Sequence, residues 1–146
     1  MKDNYYDAIT MLENIHRVFL DILKIEINKL NIKDVNSVQA IVVYNVGDKV
    51  LTVGELTAQD CYLGSNVSYN LRKLVENGYL LQEPNKYDRR SSEIKRTKKG
   101  LEFSEKLDHI FETQWKFIKE KGMGEDKMKD LILTLSSLGR NLRKIR

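Results

Sequence analysis

Apolar residues recur every three or four positions along the first thirty residues: Tyr5, Ala8, Ile9, Leu12, Ile15, Phe19, Ile22, Leu23 and Leu30, with no proline or glycine among them. That period gathers them on one stripe of an amphipathic helix. At a rise of 1.5 Å per residue, such a helix is roughly 40 Å long, more than a small domain covers unaided. A polar break follows at residues 31–34. Asn36 and Ser37 then offer caps for a second helix, from Val38 to about Val46, closed by Gly47-Asp48-Lys49. Its run Ala40-Ile41-Val42-Val43-Tyr44 is apolar nearly all round, which predicts burial on several sides. A β-strand is the competing local reading, because valine and isoleucine favour strands.

Thr52-Val53-Gly54-Glu55 has the form of a capping box opening a short helix to about residue 60. Leu63-Gly64-Ser65 turns the chain, and a second helix runs to about Asn77, with Gly78 placed as its left-handed cap. Val67, Leu71, Leu74 and Val75 form the inward stripe of that helix, leaving Ser65, Asn66, Ser68, Tyr69, Arg72 and Lys73 outward. Two short extended segments come next, Tyr79-Leu-Leu-Gln-Glu-Pro84 and Ser91-Ser-Glu-Ile-Lys-Arg96, joined by the basic loop Asn85-Lys-Tyr-Asp-Arg-Arg90. Helix, turn, helix and a hairpin with arginines at its tip make a winged helix. Beyond Lys98-Lys99-Gly100, a long helix carries Leu101, Leu107, Ile110, Phe111, Phe117 and Ile118. Gly122-Met123-Gly124 breaks it, and a last helix aligns Met128, Leu131, Ile132, Leu135, Leu138, Leu142 and Ile145. The expected class is mainly α (α+β): a winged helix-turn-helix with a two-stranded wing at residues 35–100, and long terminal helices at residues 1–34 and 101–146 forming a dimerisation region. The end helices present more apolar surface than so small a chain can hide, and a two-fold dimer buries both copies with one interface.

Composition narrows the picture only a little. The 146 residues suit one domain, and 41% hydrophobic with 32% charged residues allows both a core and a hydrated surface. A net charge of +4 fits an anionic partner without specifying one. The lone cysteine, Cys61, rules out an internal disulfide and suits a reducing cytoplasm. The start of the chain is unlike a signal peptide and no stretch of about 18 apolar residues occurs, so a soluble cytoplasmic protein with no membrane partner is expected.

The order and spacing of three pieces resemble the MarR family of bacterial regulators over nearly the whole chain. Leu51-Thr-Val-Gly-Glu-Leu56 is similar to the family's approach to its first DNA-domain helix. Leu71-Arg-Lys-Leu-Val-Glu-Asn-Gly-Tyr-Leu80 resembles its recognition helix, closing glycine and first wing strand. Asp88-Arg-Arg-Ser91 and Arg96-Thr-Lys-Lys-Gly100 are similar to its wing and to its Leu-Thr-x-x-Gly step into the next helix. The chain departs from the pattern at Cys61, usually glycine; at Leu63, usually a small polar cap; at Asn70, commonly apolar; and at Arg96, usually leucine.

The resemblance implies a homodimeric, sequence-specific regulator that binds a pseudo-palindromic duplex and acts as a repressor released by a small aromatic or anionic effector. Ser65, Asn66, Ser68, Tyr69, Arg72 and Lys73 are then the major-groove candidates, since asparagine can pair with adenine bidentately and arginine or lysine with guanine O6 and N7. Arg90 is expected in the minor groove, with Asp88 steadying the loop and Lys86 and Arg89 on phosphates. Ser37, Thr52 and Lys98 are secondary phosphate candidates, although capping suits Ser37 and Thr52 better. His16, Phe19, Tyr44 and Tyr69 are the effector-pocket candidates, against ordinary packing. Cys61 is expected to be a packed thiol, because the family's redox branch keeps its reactive cysteine near the first helix. His16 and His109 lack a Cys/His cluster, so no metal and no cofactor are expected, and Trp115 with Phe111 suits dimer core. No nucleophile–base–orienter set and no glycine-rich phosphate loop occur, so enzyme chemistry is not expected. The rival readings are a winged-helix protein–protein adaptor, which would have lost the basic outward residues, and a redox- or metal-responsive form of the same regulator.

Overall fold

The computed structural model describes residues 2–58, 66–88 and 90–146. It divides into two compact units, Met1–Leu107 and Asp108–Arg146. In chain order the first contains α1 (Lys2–Lys29), α2 (Ser37–Val46), β1 (Leu51–Thr52), α3 (Val53–Ala58), α4 (Val67–Glu76), β2 (Leu80–Pro84), β3 (Ser92–Arg96) and the opening turns of α5 (Lys98–Glu120). The second holds the remainder of α5 and α6 (Glu125–Ile145).

α1 carries two apolar stripes rather than one. Leu23 and Ile27 are buried, and Ile9, Leu12, His16, Phe19 and Leu20 are half-buried on the same side. Ile15 and Ile22, expected on the same stripe as these, instead line a second, outward stripe with Met11, Val18 and Ile25, where exposure runs from 41% to 65%. The spacing 11, 15, 18, 22, 25 alternates four and three, the pattern of a coiled-coil seam.

α2 resolves its strand-or-helix ambiguity as a helix, because its first turn is locked. Asn36 caps it: the Gln39 amide donates to Asn36 Oδ1 at 2.8 Å, and the Asn36 amide donates to Gln39 Oε1 at 3.0 Å. Ser37 is the first helical residue; its hydroxyl donates to the Leu20 carbonyl of α1 at 2.8 Å, and it is buried away from any phosphate. Ala40, Val42, Val43 and Val46 lie at 0–2% exposure in the centre of the unit.

The sheet has three antiparallel strands in the order β1-β3-β2. The expected two-stranded wing thus gains a third member, since Leu51 pairs with Ile94 and Thr52 with Glu93. Two residues are too few to show the period-two alternation that betrays a strand, so β1 was invisible to patterning. Leu51, Leu80 and Ile94 cover one face and join Leu56, Leu71, Leu74, Phe103 and Leu107 in the core. Pro84, which has no amide to donate, sits at the end of edge strand β2 opposite Ser92.

The turn from α4 into the wing is a Schellman motif. Gly78 adopts φ 82°, the Tyr79 amide donates to the Leu74 carbonyl at 2.9 Å, and the Gly78 amide to that of Val75 at 3.1 Å. The first turn of α5 crosses directly over it. Thr97 caps α5 by accepting from the Gly100 amide at 3.0 Å, while its own hydroxyl donates toward the Gly78 and Tyr79 carbonyls. Gly100 lies inside α5 rather than ahead of it, and a Cβ there would overlap the Tyr79 carbonyl and the Arg96 side chain. In the second unit, α5 ends in another Schellman turn at Gly122 (φ 99°), where the Met123 amide donates to the Ile118 carbonyl at 3.3 Å. No residue of α6 is buried; Met128, Leu135, Leu138 and Leu142 are half-buried, and Leu131, Ile132 and Ile145 are exposed.

Gly100→Ala should therefore destabilise the fold by about 3 kcal/mol, the scale of overpacking against a rigid backbone. Urea unfolding would measure this; a variant as stable as the parent would show that α5 lifts away from Tyr79 at no cost.

Candidate nucleic-acid interface

The two helices that hold the recognition surface are fixed by polar contacts as well as packing. In α4 the inward side is Leu71 and Leu74 with Asn70 beside them, all buried, and Val67 and Val75 half-buried. Asn70 stands at 8% exposure because its Oδ1 accepts from Gln39 Nε2 at 3.2 Å, so the polar residue in an apolar position has a partner inside the core. Gln39 thereby serves both the α2 cap and the α2–α4 contact.

The opposite side of α4 presents Asn66, Ser68, Tyr69 and Arg72 exposed and Lys73 half-buried. Asn66 is the N-cap residue, yet its side chain makes no capping hydrogen bond, which leaves the carboxamide available. Tyr69 lies under two cations, with the Arg72 guanidinium 5.6 Å and the Lys73 ammonium 5.9 Å from its ring centre. Lys73 also pairs with Glu76 at 3.5 Å. Ser65 lies outside the described residues, as do Cys61 and Leu63.

The wing tip is a stack of side-chain-to-backbone turns. Asn85 Oδ1 accepts from the amides of Tyr87 (2.8 Å) and Asp88 (3.2 Å), and Asp88 Oδ1 accepts from the Arg90 amide at 3.0 Å. Asn85 and Ser91 close the loop through an amide-to-carbonyl bond of 3.0 Å. Arg90 projects from this base with 96% of its side chain exposed and its Nε 3.9 Å from Asp88. Lys86 and Asp88 are exposed, and Arg89 lies outside the described residues. Thr52 is occupied as the α3 cap, accepting from the Glu55 amide at 3.0 Å, and Lys98 is exposed in the first turn of α5.

Three further groups, far apart in sequence, brace the interface from behind. Asp34 Oδ1 accepts from the Tyr79 hydroxyl at 2.7 Å and its Oδ2 from Lys99 at 3.1 Å, while Lys99 also donates to the Asn77 carbonyl at 2.8 Å. The Lys99 ammonium sits 4.4 Å from the Tyr79 ring centre. Partial burial works to raise the Asp34 pKa, but the Tyr79 hydroxyl and the Lys99 ammonium outweigh it and hold the carboxyl below its usual range. Burial, then the Asp34 carboxylate, push the Tyr79 phenol far up, so it stays protonated and donating. At Arg96, where leucine is expected, the guanidinium reaches Asp48 at 2.6 Å while the side chain remains only 12% exposed. The aliphatic stem does the packing of a leucine and the head finds a carboxylate.

Of the effector-pocket candidates, His16, Phe19 and Tyr44 are half-buried in α1 and α2, whereas Tyr69 is on the outward side of α4. A cavity of about 370 Å³ beside α1 and the start of α2 is lined by other residues, among them Leu20, Lys24, Ile27 and Val35. Among the described residues no group of three or more His, Cys, Asp or Glu side chains could hold a metal ion, and no helix is long and apolar enough to cross a membrane.

This geometry is that of a winged helix, and a family model described as winged helix DNA-binding domain matches residues 35–100. Within that class the fold is of the MarR type. The chain superimposes on a MarR transcriptional regulator from Methanosarcina mazei with a TM-score of 0.77 at 17% identity, covering 97% of this chain and 99% of that one. It superimposes on FabT of Streptococcus pneumoniae, solved in complex with DNA, with a TM-score of 0.73 at 21% identity and coverage of 97% and 99%. In sequence it is 34% identical over 96 residues to the exopolysaccharide II synthesis transcriptional activator ExpG of Rhizobium meliloti, covering 66% of this chain and 50% of ExpG. The chain thus spans about half the length of the curated relative it matches.

Because its pKa is lowered on folding, Asp34 contributes stability that is fully present above the usual carboxylate value of about 3.9 and is lost as pH falls through the lower folded value. Asp34→Asn should lower the melting temperature at neutral pH and flatten its decline between about pH 5 and 3. Parallel melting curves for the two proteins across that range would contradict the ion pair.

Proposed function

We propose that the protein is a homodimeric, sequence-specific DNA-binding transcriptional regulator. The observation that carries this reading is the outward side of α4, exposed and polar or cationic, lying in one winged-helix segment with a stiff wing whose Arg90 extends into solvent. α4 enters the major groove, where Asn66, Ser68 and Tyr69 meet base edges and Arg72 and Lys73 hold guanine or phosphate. Arg90 enters the neighbouring minor groove, with Lys86 and Arg89 along the phosphates. The two copies join through the terminal helices, whose outward residues on α1 and unburied residues on α6 need cover. Half-sites then lie about one helical turn apart, and a cytoplasmic location follows from the DNA partner. The persistence of Arg72, Lys73, Lys86 and Arg90 on the surface favours DNA over a protein–protein adaptor role.

Repression released by a small aromatic or anionic effector completes the reading. His16, Phe19 and Tyr44 supply an imidazole and two rings on α1 and α2, and a ligand there acts by preferring one spacing of the two recognition helices. Activation is the second reading, favoured by the name of the R. meliloti relative. A reporter driven by the bound promoter, with and without the protein, separates the two signs.

Selection from random duplexes should return a pseudo-palindrome. On it Arg90→Ala should weaken binding about tenfold or more, the value of a well-formed groove contact, while the fold is kept. Undiminished affinity in a gel-shift titration would remove the wing from the interface. Replacing Val18 and Ile22 together by glutamate should convert the dimer to monomer in sedimentation equilibrium; an unaltered dimer would place the interface elsewhere.

A further inference from the structure

Tyr87 has no role in the reading above, yet it is the most exposed large apolar side chain among the described residues, at 96%. Its backbone is not loose. The Tyr87 amide donates to Asn85 Oδ1 at 2.8 Å, Asp88 donates to the same oxygen, and Asn85 bonds across to Ser91. A stiff turn therefore holds an aromatic ring in water, three residues from Arg90 and at the tip of the wing. Covering an aromatic ring held ready in this way is favourable, and little ordering cost remains to be met on binding.

We infer that Tyr87 is a specificity-determining residue that reads A·T pairs in the minor groove. The inference rests on the proposed DNA-binding function. A phenol is a flat ring with a donor at its end. The minor groove is about 6 Å wide, and at A·T pairs its floor offers only acceptors, adenine N3 and thymine O2. Tyr87 slides in edge-first, its faces against the deoxyribose walls and its hydroxyl donating to the floor. At a G·C pair the guanine 2-amino group projects from that floor into the space the ring would fill, so the ring is kept from reaching the acceptors beneath it. Arg90 supplies charge to the same groove; Tyr87 supplies the discrimination between pairs.

Inosine separates minor-groove contacts from major-groove ones, and Tyr87→Ala then separates this contact from that of Arg90. An I·C pair presents the major groove of G·C and, lacking the 2-amino group, the minor groove of A·T. The test uses the full-length protein and an operator selected from random duplexes, with the step under the wing located by footprinting. That step is then made A·T, G·C or I·C. The parent protein should bind the A·T and I·C duplexes alike and the G·C duplex about tenfold more weakly, the lower range of one specific base contact. Tyr87→Ala, whose ring touches no core, should bind all three alike at the weaker level with an unchanged melting temperature. If Arg90→Ala weakens binding but Tyr87→Ala keeps the parent's ranking of the three duplexes, the role of Tyr87 is overturned and the DNA-binding reading stands. Equal binding of all three by the parent protein overturns it too. If the parent protein binds none of the duplexes, the DNA-binding reading falls and takes this inference with it.

Discussion

The placement of α4, and of the outward side proposed to meet DNA, depends on how closely α5 crosses the turn that ends it. Gly100 has no side chain to hold the helix away from the Tyr79 carbonyl, and Thr97 uses one hydroxyl both to cap α5 and to reach the Gly78 and Tyr79 carbonyls. The Schellman turn at Gly78 fixes where α4 stops and at what angle the chain leaves it. β2 starts two residues later, at Leu80, so α4, β2 and α5 share a single joint. Lys99, Asp34 and Asn77 tie the same joint to the loop between α1 and α2.

Most of the architecture was legible because its signals are local. Periodicity gave the helices, Gly78 and the Thr52–Glu55 box gave their ends, and the charged loop gave the wing. Three things were not legible. β1 is two residues long and shows no alternation. Ile15 and Ile22 were grouped with the inward residues of α1, because a helix with two apolar stripes and one with a broad stripe read alike until a partner surface is known. The polar braces, Asp34 with Tyr79 and Lys99, Gln39 with Asn70 and Arg96 with Asp48, join residues 31 to 65 positions apart, and nothing in a linear chain marks such pairs. Of the proposed interface, the cations stood out in the sequence, whereas Tyr87 looked like one more loop residue until its exposure and its pinned backbone were seen together.

The departures from the MarR pattern that fall within the described residues are met by compensations. Arg96 replaces a leucine but lays its stem over the same ground and gives its charge to Asp48, a residue 95% exposed. In a solvated pair of that kind the carboxylate adds little stability, and the packing of the stem is the larger effect. Asn70 replaces an apolar residue at a site where an unpaired amide would be costly, and Gln39 removes that cost.

The Gln39–Asn70 bond also differs in kind from the contact it replaces. Two apolar side chains at this crossing could slide over one another with little change in energy, since dispersion has no preferred direction. A carboxamide pair does have one, and it is lost within a few tens of degrees of roll. α4 is thereby keyed against rotation about its own axis, and because Gln39 is held in turn by the Asn36 cap, the key is cut into the start of α2. The side chains on the outward side of α4 are accordingly set by an angular lock at residue 70, on its buried side.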